Sequence, residues 1–179
     1  TGNNSCGARS IRYGTMRDNV SALEAIFIDG SRHQFGLSSR DNEPNRFNRQ
    51  LFDIGDKYAE EVAHRFPDVQ RRVGGYNIDA LARLPNGTNN LAHLLVGSEG
   101  TLAYSERIQL HLSNIPSHKV LGVCHFPTFY AAMDSAQHIV KLGPNAVELV
   151  DRTMIELARD IPLFRDVIGQ IVVGQPDAL

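Results

Sequence analysis

The run Gly97-Ser98-Glu99-Gly100-Thr101-Leu102 places two glycines, two hydroxyl side chains and one carboxylate side by side. Glycine lets a backbone approach a ligand closely, and successive amide N–H groups can form a concave site for an anion. A second run rich in glycine and amide side chains, Thr1 to Gly7, begins the chain. Each run alone is equally compatible with an ordinary surface turn. Together they predict a site for a phosphate group or for the edge of a cofactor.

Two predicted strands would hold these runs in place. Val20 to Asp29 is mostly apolar and ends at a turn signal, Asp29-Gly30, which favours a strand buried on both faces. Residues 31–36 can return as the second arm of a hairpin. Thr101 to Leu112 alternates apolar and polar side chains, which predicts a half-buried strand with Glu106 as the exception on its apolar side.

Between these strands the sequence predicts a long amphipathic helix. Apolar residues recur at intervals of three and four from Phe47 to Phe66, and Pro67 ends the pattern. The polar segment Ser38 to Asn48 predicts a surface loop, and a glycine-rich loop, Val73 to Asn77, follows the helix. A short helix over Leu91 to Val96 would then lead into the Gly97 run.

The pattern changes after residues 114–117, the predicted linker. Thr128 and Asp151 are candidate N-caps for two helices, because their side-chain oxygens can accept from free backbone N–H groups. Three strands are predicted around these helices: Val120 to Phe126, Ala146 to Val150, and one beginning at Ile171 to Val173. The alternation of strands and helices indicates an α+β domain.

Several runs stand in the order found in one enzyme family. They are Asn4-Ser5-Cys6-Gly7, Arg12-Tyr13-Gly14, Val20 to Gly30, Gly75-Tyr76-Asn77, Gly97 to Ala103, and Val147-Glu148-Leu149-Val150-Asp151. By this order the chain resembles the FAD-linked oxidases of the vanillyl-alcohol oxidase type, in the branch of D-lactate and D-2-hydroxyglutarate dehydrogenases. The joint order covers nearly the whole chain and is far more specific than any single motif. One departure is Ala103, where the family loop ends in glycine.

The resemblance implies an α+β fold in two parts. Residues 1–113 would be the second subdomain, the C-terminal part, of a PCMH-type FAD-binding domain. Residues 118–179 would begin a ferredoxin-like substrate domain after the linker at 114–117. The charged helical region would be an insertion, similar to that of long members whose flavin half is fused to an iron–sulfur half.

The resemblance also implies that parts of the enzyme lie outside this chain. The family's first flavin subdomain is expected before Thr1, and its histidine-rich metal and base motif beyond Leu179. We therefore expect an internal fragment that has no activity by itself and binds FAD weakly or not at all.

The function implied is that of an FAD-dependent dehydrogenase acting on a D-2-hydroxy acid, of the D-lactate or D-2-hydroxyglutarate type, by hydride transfer to FAD. The electron acceptor would lie outside this chain, and an iron–sulfur cluster in a fused domain stays open. Tyr76 and Asn77 are candidates for the substrate face of the ring, and the catalytic residues stay unassigned. The implied cofactor contacts are Asn3, Asn4, Ser5 and Gly7 at the flavin or pyrophosphate, Asp18, Asn19 and Val20 near the adenine, and Glu99, Gly100 and Thr101 closing over the cofactor.

Composition and net charge limit the kinds of binding partner, but they do not identify a class of enzyme. A net charge of −2 gives no support for binding to nucleic acid or to an anionic membrane surface. Cys6 and Cys124 fit reduced thiols and a cytoplasmic setting, with membrane association of the parent left open. The seven histidines are scattered and predict no metal site. The rival hypothesis is a non-catalytic α+β binding or interaction module whose glycine loops are only turns.

Overall fold

Two small antiparallel sheets organise the first part of the chain. A computed structural model describes residues 1–69 and 71–179. Its strands are β1 (Val20–Ile26), β2 (Arg32–Phe35), β3 (Leu37–Ser39), β4 (Thr88–Asn90) and β5 (Tyr104–Leu110). One sheet has the order β2-β1-β5, and the other pairs β3 with β4. The predicted hairpin is confirmed, since β1 and β2 pair directly, with Leu23 opposite Phe35.

Short helices connect these strands. They are α1 (Ser10–Tyr13), α2 (Met16–Asn19), α3 (Arg46–Lys57) and α4 (Ala59–Arg65), with 3-10 turns at Arg40–Asn42, Ile78–Leu81 and Leu91–Leu94. The helix predicted from Phe47 to Phe66 is present in two parts that meet at Tyr58. The surface loop predicted over residues 38–48 is partly wrong. Ser38 lies in β3 and is 9% exposed, because it pairs with Asn89 of β4.

The hydrophobic core lies between the larger sheet and α3. Leu23 and Phe35 from the sheet and Leu51 and Phe52 from α3 are buried there, and each such side chain contributes about 1.5–3 kcal/mol relative to full exposure. The last core residue before the Gly97 run is Val96, which is 0% exposed. The Gly97 run therefore starts from a fixed point in the core.

The strand faces differ from the sequence prediction. Val20, Leu23 and Ala25 bury one face of β1, while the intervening residues are only half-buried, so β1 is not buried on both faces. The register of β5 against β1 shifts at Glu106, which marks a bulge in β5. The predicted half-buried face of β5 is also wrong, because every residue of the strand except Ser105 is exposed, with Tyr104 at 68% and Ile108 at 41%.

The second part of the chain is helical. It contains α5 (Phe129–Ile139), a 3-10 turn at Val140–Leu142, α6 (Arg152–Asp160) and α7 (Pro162–Ile171). Both predicted caps are confirmed: Thr128 Oγ1 accepts from Ala131 N at 3.1 Å and Asp151 Oδ1 from Met154 N at 2.8 Å. The three predicted strands are not formed within the described residues. A strand needs a ladder partner, whereas Phe126 and Asp151 each make one isolated bridge to Ala178, and Ile171 ends α7.

The described residues divide into two units, Thr1–Ser113 and Asn114–Leu179. Assigning these units to a flavin domain and a substrate domain, with a linker at 114–117, stays a prediction. Helices combined with small antiparallel sheets confirm the α+β class. Within the described residues no helix has the length and apolar character required to cross a bilayer.

Candidate cofactor site

The two runs singled out by their sequence meet in the folded chain. We call Thr1–Gly7 the N-terminal loop and Gly97–Thr101 the glycine loop. Gly97 N donates to Thr1 O at 3.2 Å, and Glu99 N donates to Gly2 O at 2.9 Å. Gly97 has a φ of 84°, and a Cβ built there would lie 3.1 Å from Asn4 Cβ. The contact therefore requires glycine, both for its backbone angle and for its lack of a side chain.

Each loop holds one non-glycine residue in the left-handed region. Asn4 and Glu99 both have a φ of 50°, and no other non-glycine residue in the described ranges has a positive φ. Asn4 is 1% exposed, and its Oδ1 accepts from Arg17 N at 2.9 Å. Glu99 is exposed. Such backbone costs about 1–2 kcal/mol per residue and clusters at functional sites, so its presence in both loops supports a site at their junction.

The amides of the glycine loop are already used inside the fold. Besides Gly97 and Glu99, Ser98 N donates to Leu95 O at 3.2 Å and Thr101 N to Ser98 O at 2.9 Å. The hydroxyls are also engaged: Ser98 Oγ donates to Leu95 O at 2.8 Å and Thr101 Oγ1 to Ser98 O at 2.5 Å. Within this loop only the Gly100 N–H has no partner among the described residues. The structure therefore does not place a run of free amides here.

The N-terminal loop shows the opposite arrangement. Among the described residues, the backbone N–H groups of Asn3, Ser5, Cys6 and Gly7 have no acceptor, and Asn3, Ser5 and Gly7 are exposed. The backbone of the loop is nevertheless anchored, because Ser5 O accepts from Met16 N at 3.0 Å. Fixed and unpaired N–H groups at a surface are the donors from which anion sites are built.

The three residues expected near the adenine have structural partners. Asp18 Oδ2 accepts from Thr15 N at 2.7 Å and from Thr15 Oγ1 at 3.0 Å, which caps α2. Asn19 Nδ2 donates at 2.8 Å to two carbonyls, Tyr13 O and Thr15 O. Val20 is 1% exposed at the start of β1. These side chains fix the segment that follows the N-terminal loop.

Tyr76 and Asn77 lie at different depths. Tyr76 is 42% exposed, and its hydroxyl lies 2.7 Å from Thr101 Oγ1. Since Thr101 donates its own proton to Ser98 O, the Tyr76 hydroxyl is the donor in this pair. Asn77 is 1% exposed, and its Nδ2 donates to His93 O at 3.1 Å and Val96 O at 2.8 Å. Asn77 therefore supports the approach to the glycine loop from inside, whereas Tyr76 reaches the loop from the surface.

Sequence reasoning missed a charged group beneath these loops. Asp79 forms ion pairs with Arg17, at 2.8 Å, and with Arg72. Burial raises the pKa of Asp79, but hydrogen bonds and charge from the two arginines outweigh it and hold the pKa below its ordinary value. Arg17 and Asp79 are 62 positions apart, so the only signal in the sequence was a carboxylate close after the Gly75-Tyr76-Asn77 turn.

A cleft of about 680 Å³ lies elsewhere in the same unit, between the larger sheet and the start of α3. Residues lining it include Glu24, Gln34, Ser38, Asn48 and Arg107, and no predicted contact residue is among them. Ser38 Oγ and Asn48 Oδ1 are buried there without a hydrogen-bond partner. No group of three or more metal-ligating side chains occurs within residues 1–69 and 71–179.

Known proteins resemble this chain in two ways, through a family match in the second unit and through pairwise similarity over most of the chain. Residues 115–170 match the family described as FAD linked oxidases, C-terminal domain. The chain is 30% identical over 161 residues to a D-2-hydroxyglutarate dehydrogenase of Pseudomonas putida, an alignment that covers 85% of this chain. The chain is thus similar to the FAD-linked oxidases. It is also 31% identical over 152 residues, 83% of its length, to a probable mitochondrial D-lactate dehydrogenase of Danio rerio.

These relatives are much longer proteins. A D-2-hydroxyglutarate dehydrogenase of Haemophilus influenzae aligns with 97% of this chain at 27% identity, yet the alignment covers 18% of that relative. The corresponding shares are 16% for the Pseudomonas relative and 22% for the Danio relative. The chain thus spans about a fifth of the length of the curated relatives it matches, and the resemblance derived from its motifs is confirmed.

Proposed function

We propose that residues 1–113 supply one side of an FAD site in a dehydrogenase that oxidises a D-2-hydroxy acid. The observation that carries the proposal is the junction of the two loops, which fixes the N-terminal loop while leaving its amides exposed. A Cβ at Gly7 or at Gly100 would meet nothing within 4 Å. Open space therefore lies beside Gly7 and Gly100, and together with the unpaired N–H groups these residues fit the phosphate part of a dinucleotide.

Each loop would have its own task. The N–H groups of Asn3, Ser5 and Gly7 would bind pyrophosphate oxygens, because such donors favour negative charge. Gly100 would add its N–H from the glycine loop. Asn4 sets the path of the N-terminal loop from inside, and Asp18, Asn19 and Val20 would hold the segment near the adenine.

The chemistry of the intact enzyme would be divided between this chain and parts beyond it. When bound, FAD supplies the acceptor for a hydride from the α-carbon of the hydroxy acid. Glu99, Thr101 and Tyr76 would border the cofactor and limit access of water to it. Residues 118–179 would begin the substrate domain, which the match over residues 115–170 supports.

The finer assignments are part of the same proposal. D-lactate and D-2-hydroxyglutarate are the substrates in the names of the relatives, and either would suit a D-2-hydroxy acid dehydrogenase. The electron acceptor would lie outside this chain. Two free thiols, Cys6 and Cys124, favour a cytoplasmic location.

A hydrogen-exchange experiment tests the cofactor proposal. At about 1 mM FAD, where a ligand of millimolar affinity is half bound, we expect slower exchange in residues 2–7 and at Gly100. ADP should protect the N-terminal loop as FAD does, and riboflavin should not, because riboflavin lacks the pyrophosphate. Absence of protection by FAD in both loops would overturn the proposal.

Matched glycine variants show whether the protection marks a site. Gly7→Val should abolish protection by FAD, since its side chain would occupy the open space without touching the fold. Gly122→Val introduces the same side chain at an equally open position in the other unit and should leave protection unchanged. Equal loss in both variants would contradict binding at the N-terminal loop.

A further inference from the structure

Four polar residues form one connected group under the junction of the two loops. We call Arg17, Arg72, Asn77 and Asp79 the arginine–aspartate cluster. Asn77 Oδ1 accepts from Arg17 Nη1 at 3.5 Å and from Arg72 Nη2 at 3.2 Å. Asp79 pairs with the same two guanidinium groups through its two separate oxygens. The guanidinium groups of the two arginines thus orient the buried carboxamide of Asn77, and the carboxylate of Asp79 holds both guanidinium groups in place.

The cluster contacts both loops through their supports. On one side, Asn77 Nδ2 donates to the carbonyls of His93 and Val96, the latter immediately before Gly97. On the other side, Arg17 N donates to Oδ1 of Asn4 in the N-terminal loop. Either route from Asp79 to a loop therefore passes through Arg17 or Asn77.

Burial distinguishes this cluster from ordinary surface ion pairs, which contribute little. The side chains of Arg17 and Asp79 are each 28% exposed, and that of Arg72 is 18% exposed. Asn77 is 1% exposed. Removing the Asp79 charge would leave two partly buried guanidinium groups without their counter-charge, which is costly and is relieved by movement of their side chains.

We infer that Asp79 is a positioning residue that fixes both loops of the site by holding Arg17 and Arg72 against Asn77. This inference rests on the proposed function in one respect, since it takes the two loops as the cofactor site. With Asp79 in place, Asn77 keeps both N–H groups on the carbonyls that precede Gly97. Two guanidinium groups against one carboxylate also leave the cluster with one net positive charge, which suits a site for an anionic ligand.

Hydrogen exchange on the Asp79→Asn variant tests the inference without any ligand. The amides of Gly97 and Glu99, which bond the N-terminal loop, should exchange about tenfold faster than in the wild-type chain, because local opening becomes easier. Amides of β1 and β5 should keep their rates. Asp79→Glu retains the charge and should restore much of the protection.

Asp56 provides a matched control in the same unit. It also pairs with two arginines, Arg40 at 2.8 Å and Arg83 at 3.6 Å, and among the described residues no ion pair or hydrogen bond joins its side chain to either loop. Asp56→Asn should leave exchange of Gly97 and Glu99 within about twofold of wild type, as expected for a substitution outside the opening unit. If Asp79→Asn unfolds the chain, Arg72→Gln removes one arm of the cluster and should accelerate the same amides.

Binding of FAD then connects the cluster to the site. Asp79→Asn should weaken FAD-dependent protection of the N-terminal loop about fivefold, and Asp56→Asn should not change it. If wild-type chain binds no FAD, the proposed function fails while the exchange result still decides the role of Asp79. Unchanged exchange of Gly97 and Glu99 in both Asp79→Asn and Arg72→Gln would overturn the inference.

Discussion

The N-terminal loop and the glycine loop meet at one junction but use their backbones in opposite ways. The glycine loop donates the amides of Gly97 and Glu99 to the N-terminal loop, and its hydroxyls are bonded internally. The N-terminal loop accepts those bonds on its carbonyls and keeps the N–H groups of Asn3, Ser5 and Gly7 unpaired among the described residues. The more conspicuous motif is thus mainly the support, and the less conspicuous one carries the available donors.

This difference shows why glycine content alone is a poor guide to ligand contact. Gly97 is required because a Cβ there would lie 3.1 Å from the Cβ of Asn4, whereas a Cβ at Gly7 or Gly100 would meet nothing within 4 Å. The same residue type therefore serves internal packing at one position and access at another. Substitutions that separate these two uses give the sharpest tests of the comparison.

The largest effect is expected at Gly97. Gly97→Ala should lower the free energy of unfolding by about 3 kcal/mol, because the Cβ combines left-handed strain with overpacking against Asn4. Gly100→Ala adds strain without a clash and should cost about 1 kcal/mol. The measurement is urea unfolding, followed by hydrogen exchange in β1 and β5.

Gly7→Ala is the control for this series, because Gly7 has neither a positive φ nor a close neighbour. Its cost should lie within about 0.5 kcal/mol of zero. Equal losses at Gly97 and Gly100 would contradict the close packing of the two loops.

Smaller changes in stability, of opposite sign, are expected when Asn4 and Glu99, the two non-glycine residues in the left-handed region, are replaced by glycine. Asn4→Gly relieves backbone strain but leaves the Arg17 N–H without its acceptor, so it should lower stability by about 1 kcal/mol. Glu99→Gly relieves similar strain and loses no hydrogen bond, so it should raise stability by about 0.5 kcal/mol. Urea unfolding of both variants measures the difference. Losses of the same size would show that Glu99 also has a structural partner.

The sequence predicted the fold best where the local pattern and the contacts agree. β1, its hairpin with β2 and the capped helices α5 and α6 follow from apolar periodicity and from Thr128 and Asp151. The prediction of strands in the second unit was wrong because a strand depends on a neighbouring strand to pair with, and an apolar run does not specify that neighbour. The buried face predicted for β5 was wrong because alternation shows which side chains share a face, but not whether another element covers that face.

The candidate site was predictable as a set of loops and not as a set of contacts. Order of motifs brought together residues 1–7, 75–77 and 97–101, and the fold joins them. Which amides stay free depends on bonds such as Glu99 N to Gly2 O, which link positions far apart in the chain. The pairing of Arg17 with Asp79 is equally remote in sequence, so no local pattern could have revealed it.

The smallest change in stability is expected from a change of pH, and it tests the residues that support the glycine loop. Burial lowers the pKa of His93 below its ordinary value of 6.5, and the nearby charge of Arg17 lowers it further. As pH falls below about 6.5, the unfolded chain therefore binds a proton that the folded chain does not, and stability decreases. His93→Gln should be less sensitive to pH in this window.

Urea unfolding of wild type and His93→Gln between about pH 7.5 and 5.5 provides the measurement, because the slope with pH counts the protons bound differently in the two states. The wild-type chain should lose more stability on acidification than the variant. Because the carbonyl of His93 accepts from Asn77 Nδ2, the loss should coincide with faster exchange in the glycine loop and leave Asn3, Ser5 and Gly7 unaffected. Identical slopes of unfolding free energy against pH for the two proteins would show that His93 does not link protonation to the glycine loop. The difference between the two loops would then depend only on their hydrogen bonds.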